Sequence, residues 1–383
     1  MQYVGGNRLA LLKNGVQYFP ALAAAIEAAQ REVFLEAYIY ADDETGSLVA
    51  DLLARAAARG VAVRLLLDGF GAREFPQRWR AMLRAAGAEV MVFRPEVAEL
   101  RLRRGRLRRM HRKLACVDAA LAFVGGINVI DDFDSPTERR PRYDYAVRIE
   151  GPLAAEVRAT AARQWQQVAW AALRRRQRVP PAPPAPGPSG AHRAALVVRD
   201  SLRHRSDIED AYLAQIESAR EEILIACAYF FPGRRFRRAL IVAAARGVRV
   251  RLLLQGRMEY ALVSYASRAL YGVLLDAGVE ICEYQRSILH AKVAVFDGRV
   301  ACVGSSNIDP FSLMLAREAN VFVDDRGFAA ELRASLEEAI RTGSSPLPPR
   351  LWRDQPLLVR VRIWLGYALA RALISLFGFE RYH

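Results

Sequence analysis

The chain has 383 residues, 52% of them hydrophobic, and a net charge of +15 from 56 basic against 41 acidic residues. That length suits two or three domains with ample core, and the charge narrows the partners to polyanions: nucleic acid, an anionic membrane surface or phosphorylated substrates. The four cysteines (Cys116, Cys227, Cys282, Cys302) lie in apolar, strand-like runs without C-x-x-C spacing, which excludes a zinc site or a secreted disulfide framework and predicts buried free thiols in a reducing compartment.

The opening stretch, MQYVGGNRLALLKNG, lacks the apolar core of a signal peptide or anchor, so the protein is expected to begin on the cytosolic side. From Ile26, IEAAQREVFLEAYIY reads as an amphipathic helix running into a β-branched and aromatic strand. LLARAAARGVAVRLLLDG follows, a helix closed by Gly60 in the left-handed cap position and a buried strand behind it. A third round, LRAAGAEVMVF, precedes six arginines within residues 101–109 and then HRKLACVDAALAFVGGIN, from His111 to Asn128.

The whole series is then written again. IESAREEILIACAYF from Ile216, LIVAAARGVRVRLLLQG with its own cap at Gly247, LLDAGVEICEY, and HAKVAVFDGRVACVGSSN from His290 to Asn307 repeat it in order and spacing. Alternating helices and strands predict an α/β fold, and duplication predicts two similar domains related by a pseudo-twofold, each a mixed sheet flanked by helices, with the paired motifs meeting between them. The divisions are residues 1–178, a proline-rich semi-rigid linker 179–190, residues 191–345, and a C-terminal tail 346–383.

Lysine sharpens this reading: only Lys13, Lys113 and Lys292 occur among the 56 basic residues, and two of them stand in matching H-x-K pairs. A period of two puts His111 with Lys113, and His290 with Lys292, on one face of a strand. Arginine's planar fork does not replace a compact ammonium at every site. Face to face, the two sets supply imidazoles, ammonium groups and the amides of Asn128 and Asn307, with Ser305 beside the second; these suit a phosphate and the charge that develops on it. One imidazole can attack phosphorus while the other serves as acid and base. Without a carboxylate cluster for Mg²⁺ the lysines take over the electrostatic task, so neither metal nor cofactor is expected. Asp144 lies 33 residues beyond His111 and Glu318 lies 28 beyond His290; each begins a strand-like run after its motif, where a carboxylate can orient an imidazole through its second nitrogen.

HRKLACVD…GGIN and HAKVAVFD…GSSN resemble the paired signature of the phospholipase D superfamily. YDYAVRIEGP, AYFFPG and VGSSNIDPFSLMLAREANV extend the likeness, over residues 5 to 340, to bacterial cardiolipin synthases, in particular the shorter form without two N-terminal membrane helices. The resemblance implies an active site between two α/β domains and transfer of a phosphatidyl group between two phosphatidylglycerol molecules, releasing glycerol. It assigns phosphate binding and catalysis to His111, Lys113, Asn128, His290, Lys292 and Asn307, and usually makes the N-terminal histidine the nucleophile. Asp118 and Asp297 complete the signature and are counted with the catalytic set, although a strand end suits holding the turn better than touching substrate. Symmetry of the sequence leaves the choice of nucleophile open.

Membrane contact is expected from the tail, residues 357–379, where Tyr367, Arg371, Ser375 and Gly378 share a stripe and the rest is largely apolar; a core helix is the alternative. The arginine clusters 101–109, 174–178 and 234–238 read as anchors for anionic headgroups. The expected partners are therefore anionic phospholipids at the cytoplasmic face of the cell membrane, bound peripherally; no nucleic acid is expected, and a further protein subunit is left open. The rival readings are a phospholipase D-type hydrolase, a transferase using phosphatidylethanolamine or another alcohol, a nuclease of the same superfamily and a non-catalytic membrane scaffold.

Overall fold

The structure is a computed structural model that describes residues 1–95, 108–133, 140–173, 179–200, 203–257 and 261–376. The first half contributes strands β1 (Val4–Lys13), β2 (Glu32–Ala37), β3 (Ala62–Asp68), β4 (Glu89–Phe93), β5 (Lys113–Val117), β6 (Leu121–Gly125) and β7 (Tyr145–Glu150). Helices α1 (Asn14–Ala28), α2 (Glu44–Ala58), α3 (Gln77–Ala85) and α4 (Pro152–Ala171) connect and cover them.

The second half repeats the order with β8 (His192–Arg199), β9 (Glu222–Cys227), β10 (Arg249–Gln255), β11 (Glu280–Tyr284), β12 (Lys292–Phe296), β13 (Val300–Gly304) and β14 (Glu318–Asp324). Its helices are α5 (Asp207–Ser218), α6 (Arg234–Ala245), α7 (Ala261–Arg268), α8 (Tyr271–Asp276), α9 (Pro310–Met314) and α10 (Arg326–Gly343). A short β15 (Ser344–Pro346), α11 (Pro349–Arg353) and α12 (Leu357–Leu376) close the described chain.

Among the described residues all these strands form one mixed sheet, ordered β4-β3-β2-β5-β6-β7-β1-β8-β14-β13-β12-β9-β10-β11-β15. Antiparallel pairing of β1 with β8 fuses the halves, and strand order reads outward from that seam identically on both sides until β15. β2, β5 and β12 are buried on both faces; β5 and β12 are apolar beyond their opening lysines, while β2 buries Glu32 and Glu36 against Arg158 and Arg112. On one face α4 and α10 cover a single core that runs from Leu9, Val147 and Trp165 to Leu289, Val321 and Leu332. The opposite face carries two separate cores, under α1 to α3 and under α5, α6 and α8.

The repeated caps have the predicted form: Gly60 and Gly247 sit at φ +90° and +88°, where a Cβ would be strained. All four cysteines are buried and free. The strand β1 was not among the sequence-predicted elements. Its pairing is held by Asn7, wholly buried, which donates to the Val4 carbonyl at 2.8 Å and accepts from the Leu153 amide at 2.9 Å.

As far as Leu376 the tail is largely helical, and it is only half free; Gly378 of the expected stripe lies outside the described residues. Ile363 and Gly366 are buried, and Tyr367 stacks edge-on against Phe231 at 5.9 Å as α12 packs along α7. So the side of the helix that carries Tyr367 faces protein, while Leu358, Trp364, Leu365 and Leu369 face outward. No described helix is long and apolar enough to cross a membrane. Of the three arginine clusters, residues 101–107 and 174–178 lie outside the described residues; Arg234, Arg235 and Arg238 are exposed on α6, with Arg235 paired to Asp210 at 3.0 Å.

Candidate active site

Both H-x-K segments approach their strands from the seam between the halves, and each is anchored to the other half. The His111 amide donates to the Arg317 carbonyl at 3.0 Å, and the His290 amide donates to the Tyr143 carbonyl at 2.9 Å. One side chain per half steadies the residue before each histidine. Asp68 Oδ2 accepts from the Met110 amide at 2.8 Å, and Gln255 Oε1 accepts from the Leu289 amide at 3.3 Å. These positions went unremarked in the sequence, although the echo of LLLDG by LLLQG carried the signal.

The carboxylates cross over. Glu318, in the second half, meets Nδ1 of His111 at 2.9 Å, and Asp144, in the first half, meets Nδ1 of His290 at 2.6 Å. Both acids are buried, so each imidazole has its Nδ1 tied to the opposite half, leaving Nε2 for chemistry. The sequence placed each acid after its own motif; the sheet seam exchanges them.

Lys113 and Lys292 are buried and donate to the carbonyls of His111 and His290, the first at 2.7 Å. Burial pulls the Lys113 ammonium down to about 7, with Lys292 adding to the effect and Glu318 opposing it. The same burial, reinforced by the lysines, lowers both imidazoles, His290 the further. Asn128 Oδ1 accepts from the Ile39 amide at 3.2 Å, and Asn307 Oδ1 from the Tyr229 amide at 3.4 Å. Each thereby keeps its amide NH₂ as a donor. Tyr38, which sequence reasoning missed, lies edge-on to His111 at 4.6 Å with Lys113 5.1 Å above its ring.

Three residues counted with the site have other partners, two of them in the turns that their strand-end position suggested. Asp118 and Asp297 stand at the far end of their strands, about 17 Å of extended chain from each lysine at 3.3 Å per residue. Asp118 accepts from the amides of Gln30, Arg31 and Glu32 at 2.8–2.9 Å, and Asp297 does the same for Arg220, Glu221 and Glu222 at 2.8–2.9 Å. Their work is to hold turns. Ser305 does not offer its hydroxyl to a phosphate: it donates to Glu318 Oε2 at 2.5 Å.

That bond separates the two acids. Burial would raise Glu318, but His111, Lys113 and the Ser305 hydroxyl together hold it below the usual carboxylate range. Asp144 lacks such a donor because Gly126 stands opposite Ser305 in the duplicated hairpin, where a Cβ would lie 2.4 Å from the Asp144 carboxylate. Burial pushes Asp144 up to about 7 despite Lys292 and the Tyr145 amide.

Two half-sites of histidine, lysine and asparagine, fused across a pseudo-twofold, define a duplicated phosphodiester-processing enzyme of the phospholipase D type. Residues 22–165 and 212–340 match the family described as cardiolipin synthase, PLD-like domain. The chain belongs to that family. Cardiolipin synthase B of Escherichia coli (strain K12) is 40% identical over 361 residues, covering 91% of this chain and 85% of that protein. Cardiolipin synthase A of Escherichia fergusonii is 33% identical, covering 95% and 75%. The crystal structure of phosphatidylserine synthase from Haemophilus influenzae Rd KW20 shares the fold, with a TM-score of 0.71 at 13% identity, covering 97% of this chain and 95% of that one.

Proposed function

We propose that the protein transfers a phosphatidyl group from one phosphatidylglycerol to a second, giving cardiolipin and glycerol through a phosphohistidine on His111. The crossed acid–imidazole pairs carry the reading, because they make the two histidines unequal. Glu318, held ionised, keeps a proton on His111 Nδ1 and an open pair on Nε2, as a nucleophile needs. Nε2 attacks phosphorus, the bond to the glycerol oxygen breaks, and that oxygen takes a proton from His290. The terminal hydroxyl of a second phosphatidylglycerol then gives its proton to His290, and its oxygen displaces His111 from phosphorus. A bound phosphodiester brings negative charge that offsets Lys113 and Lys292 and so raises the His290 pKa, allowing it to carry that proton. Lys113, Lys292, Asn128 and Asn307 hold the phosphoryl oxygens. Residues 1–178 and 191–345 are the two duplicated units.

We further infer a peripheral seat at the cytoplasmic face of the membrane, with the outer side of α12 in the interface. Leu358, Trp364, Leu365 and Leu369 present an exposed apolar strip with Arg360 and Arg362 beside it, a pattern suited to an anionic lipid surface. The double variant Trp364→Glu, Leu365→Glu is expected to lose about tenfold or more in sedimentation with phosphatidylglycerol vesicles, since two buried apolar side chains contribute roughly 1.5–3 kcal/mol each. Undiminished sedimentation would remove α12 from the membrane.

For the reaction, purified protein with head-group-labelled phosphatidylglycerol vesicles should release glycerol and form cardiolipin, and a denaturing quench at alkaline pH, where the N–P bond survives, with peptide mapping should place the phosphatidyl group on His111. Phosphatidic acid as the main product would favour the hydrolase. Consumption of phosphatidylethanolamine in preference would change the donor, and faster metal-free cleavage of duplex DNA would overturn the lipid reading.

A further inference from the structure

A cavity of about 650 Å³ opens at the outer edge of the first half, between α3, the end of α4 and β4. Among the described residues β4 pairs only with β3, whereas its counterpart β11 is covered by β15. The corresponding recess of the second half measures about 230 Å³ and includes Glu338. Duplication therefore leaves one edge enlarged.

The lining of the large cavity divides by chemistry. Arg80 and Arg84, four apart on α3, face Arg94 and Arg317 across it, and none of the lining residues is acidic. Below them lie Val90, Phe93, Val168 and Ala172. The Phe93 ring sits 5.5 Å from both the Arg94 and the Arg317 guanidinium. Gln164, buried in the wall, accepts from Arg317 through Oε1, but its Nε2 has no hydrogen-bond partner among the described residues, nor has Arg317 Nε. A buried donor left without a partner is destabilising, and an acceptor in the cavity would relieve it.

We propose that this cavity is a second lipid site, taking the phosphate of an anionic phospholipid on its arginine rim and the start of an acyl chain on its apolar floor. The volume lies within the roughly 300–1,000 Å³ of small-molecule sites. Burial, with Arg112 and Arg94 adding to it, pulls the Arg317 guanidinium down to about 10; it stays charged at neutral pH, and an anion beside it would offset the cost of burying that charge. The site is also wired to the reaction centre. Arg317 precedes Glu318, its carbonyl holds the His111 amide, and Gln164 receives Arg112 at 3.4 Å from between His111 and Lys113. An occupant that reorients Arg317 acts on the positioning of His111. The inference holds whatever phosphate ester the centre processes.

The test is photolabelling with a phosphatidic acid analogue carrying a diazirine on its acyl chain, in neutral detergent micelles, on the full chain. It is run with wild type and with His111→Ala, so that capture at the reaction centre and capture in the cavity are read separately. Labelled peptides are expected from residues 77–95 and 164–173 in both proteins. Arg84→Glu with Arg94→Glu should cut that labelling by about fivefold or more, since each basic residue near an anionic lipid is worth roughly 1 kcal/mol. Ala172→Trp, an exposed position that narrows the floor, should do so without a charge change. Labelling confined to peptides of the reaction centre, or equal labelling by the phosphatidylcholine analogue, would overturn the site. Full displacement by inorganic phosphate would show a free-phosphate site and overturn the lipid.

Discussion

At residue scale one difference between the two duplicated hairpins, Ser305 against Gly126, bears directly on the acids behind the histidines, because only Glu318 gains a hydroxyl donor. Removing the donor in Ser305→Ala lets burial raise Glu318. The ionised form of Glu318 is the one that holds His111, so more alkaline solution is then needed to populate it. The acid limb of the kcat/KM profile is expected to move to higher pH, with rate losses below it of about 10- to 100-fold, the worth of a bond to a charged group at 1.5–3 kcal/mol. An unmoved limb would sever Ser305 from the chemistry. Lys113 makes a second test. Its ammonium titrates near 7 in the free site because burial disfavours the charge, and a bound anion reverses this. At pH 8 inorganic phosphate should therefore bind with proton uptake that Lys113→Met lacks, as calorimetry in buffers of different ionisation enthalpy reads. Equal uptake by both proteins would place the proton elsewhere.

At element scale the strands and their caps were legible in the sequence because period-two alternation, glycine punctuation and the duplicated order all agreed. The identities of His111, Lys113, His290 and Lys292 were legible for a further reason: lysine is so scarce in this chain that each one marks a need for a point charge. The part played by Asp118 and Asp297 was legible only in part: a signature position looks catalytic whether it touches substrate or ties a turn, and only their place at a strand end favoured the turn. Their φ values of +54° and +50° show a left-handed turn that aspartate adopts more readily than alanine, although Ala119 continues it at +59°. Asp118→Ala should thus lose about 2–4 kcal/mol of stability through three amide bonds and the backbone strain, measured by urea unfolding, while kcat of the folded fraction changes less than threefold or so, about 0.6 kcal/mol. A collapse of kcat with unchanged stability would return Asp118 to the catalytic set. β1 was illegible because its pairing depends on a buried asparagine within a glycine-rich run, which no alternation pattern reports.

At the scale of the whole molecule, the seam between β1 and β8 does what neither half can do alone. Spacing along the chain put Asp144 with His111 and Glu318 with His290; only the fused sheet reveals the exchange, because pairing across a pseudo-twofold leaves no trace in sequence distance. The exchange fixes which step each acid serves. If His111 attacks, Glu318 in the second half supports formation of the phosphohistidine, and Asp144 in the first supports the proton movements of His290. Glu318→Gln should then behave like His111→Ala and abolish the single-turnover burst of glycerol. Asp144→Asn weakens His290, which must act twice. The first leaving group departs slowly, but the acceptor must also be deprotonated by the same weakened base, so the covalent species persists and is trapped in greater proportion of each turnover. Both substitutions remove a charge from one buried pair and leave a hydrogen-bonding amide, so comparable losses of fold are expected from each, and circular dichroism with thermal unfolding checks this. The two are separated by rapid quench on labelled phosphatidylglycerol: phosphohistidine absent in one, lingering in the other. The opposite assignment of the two traces would move the nucleophile to His290 and, with it, invert the chemical roles of the two halves.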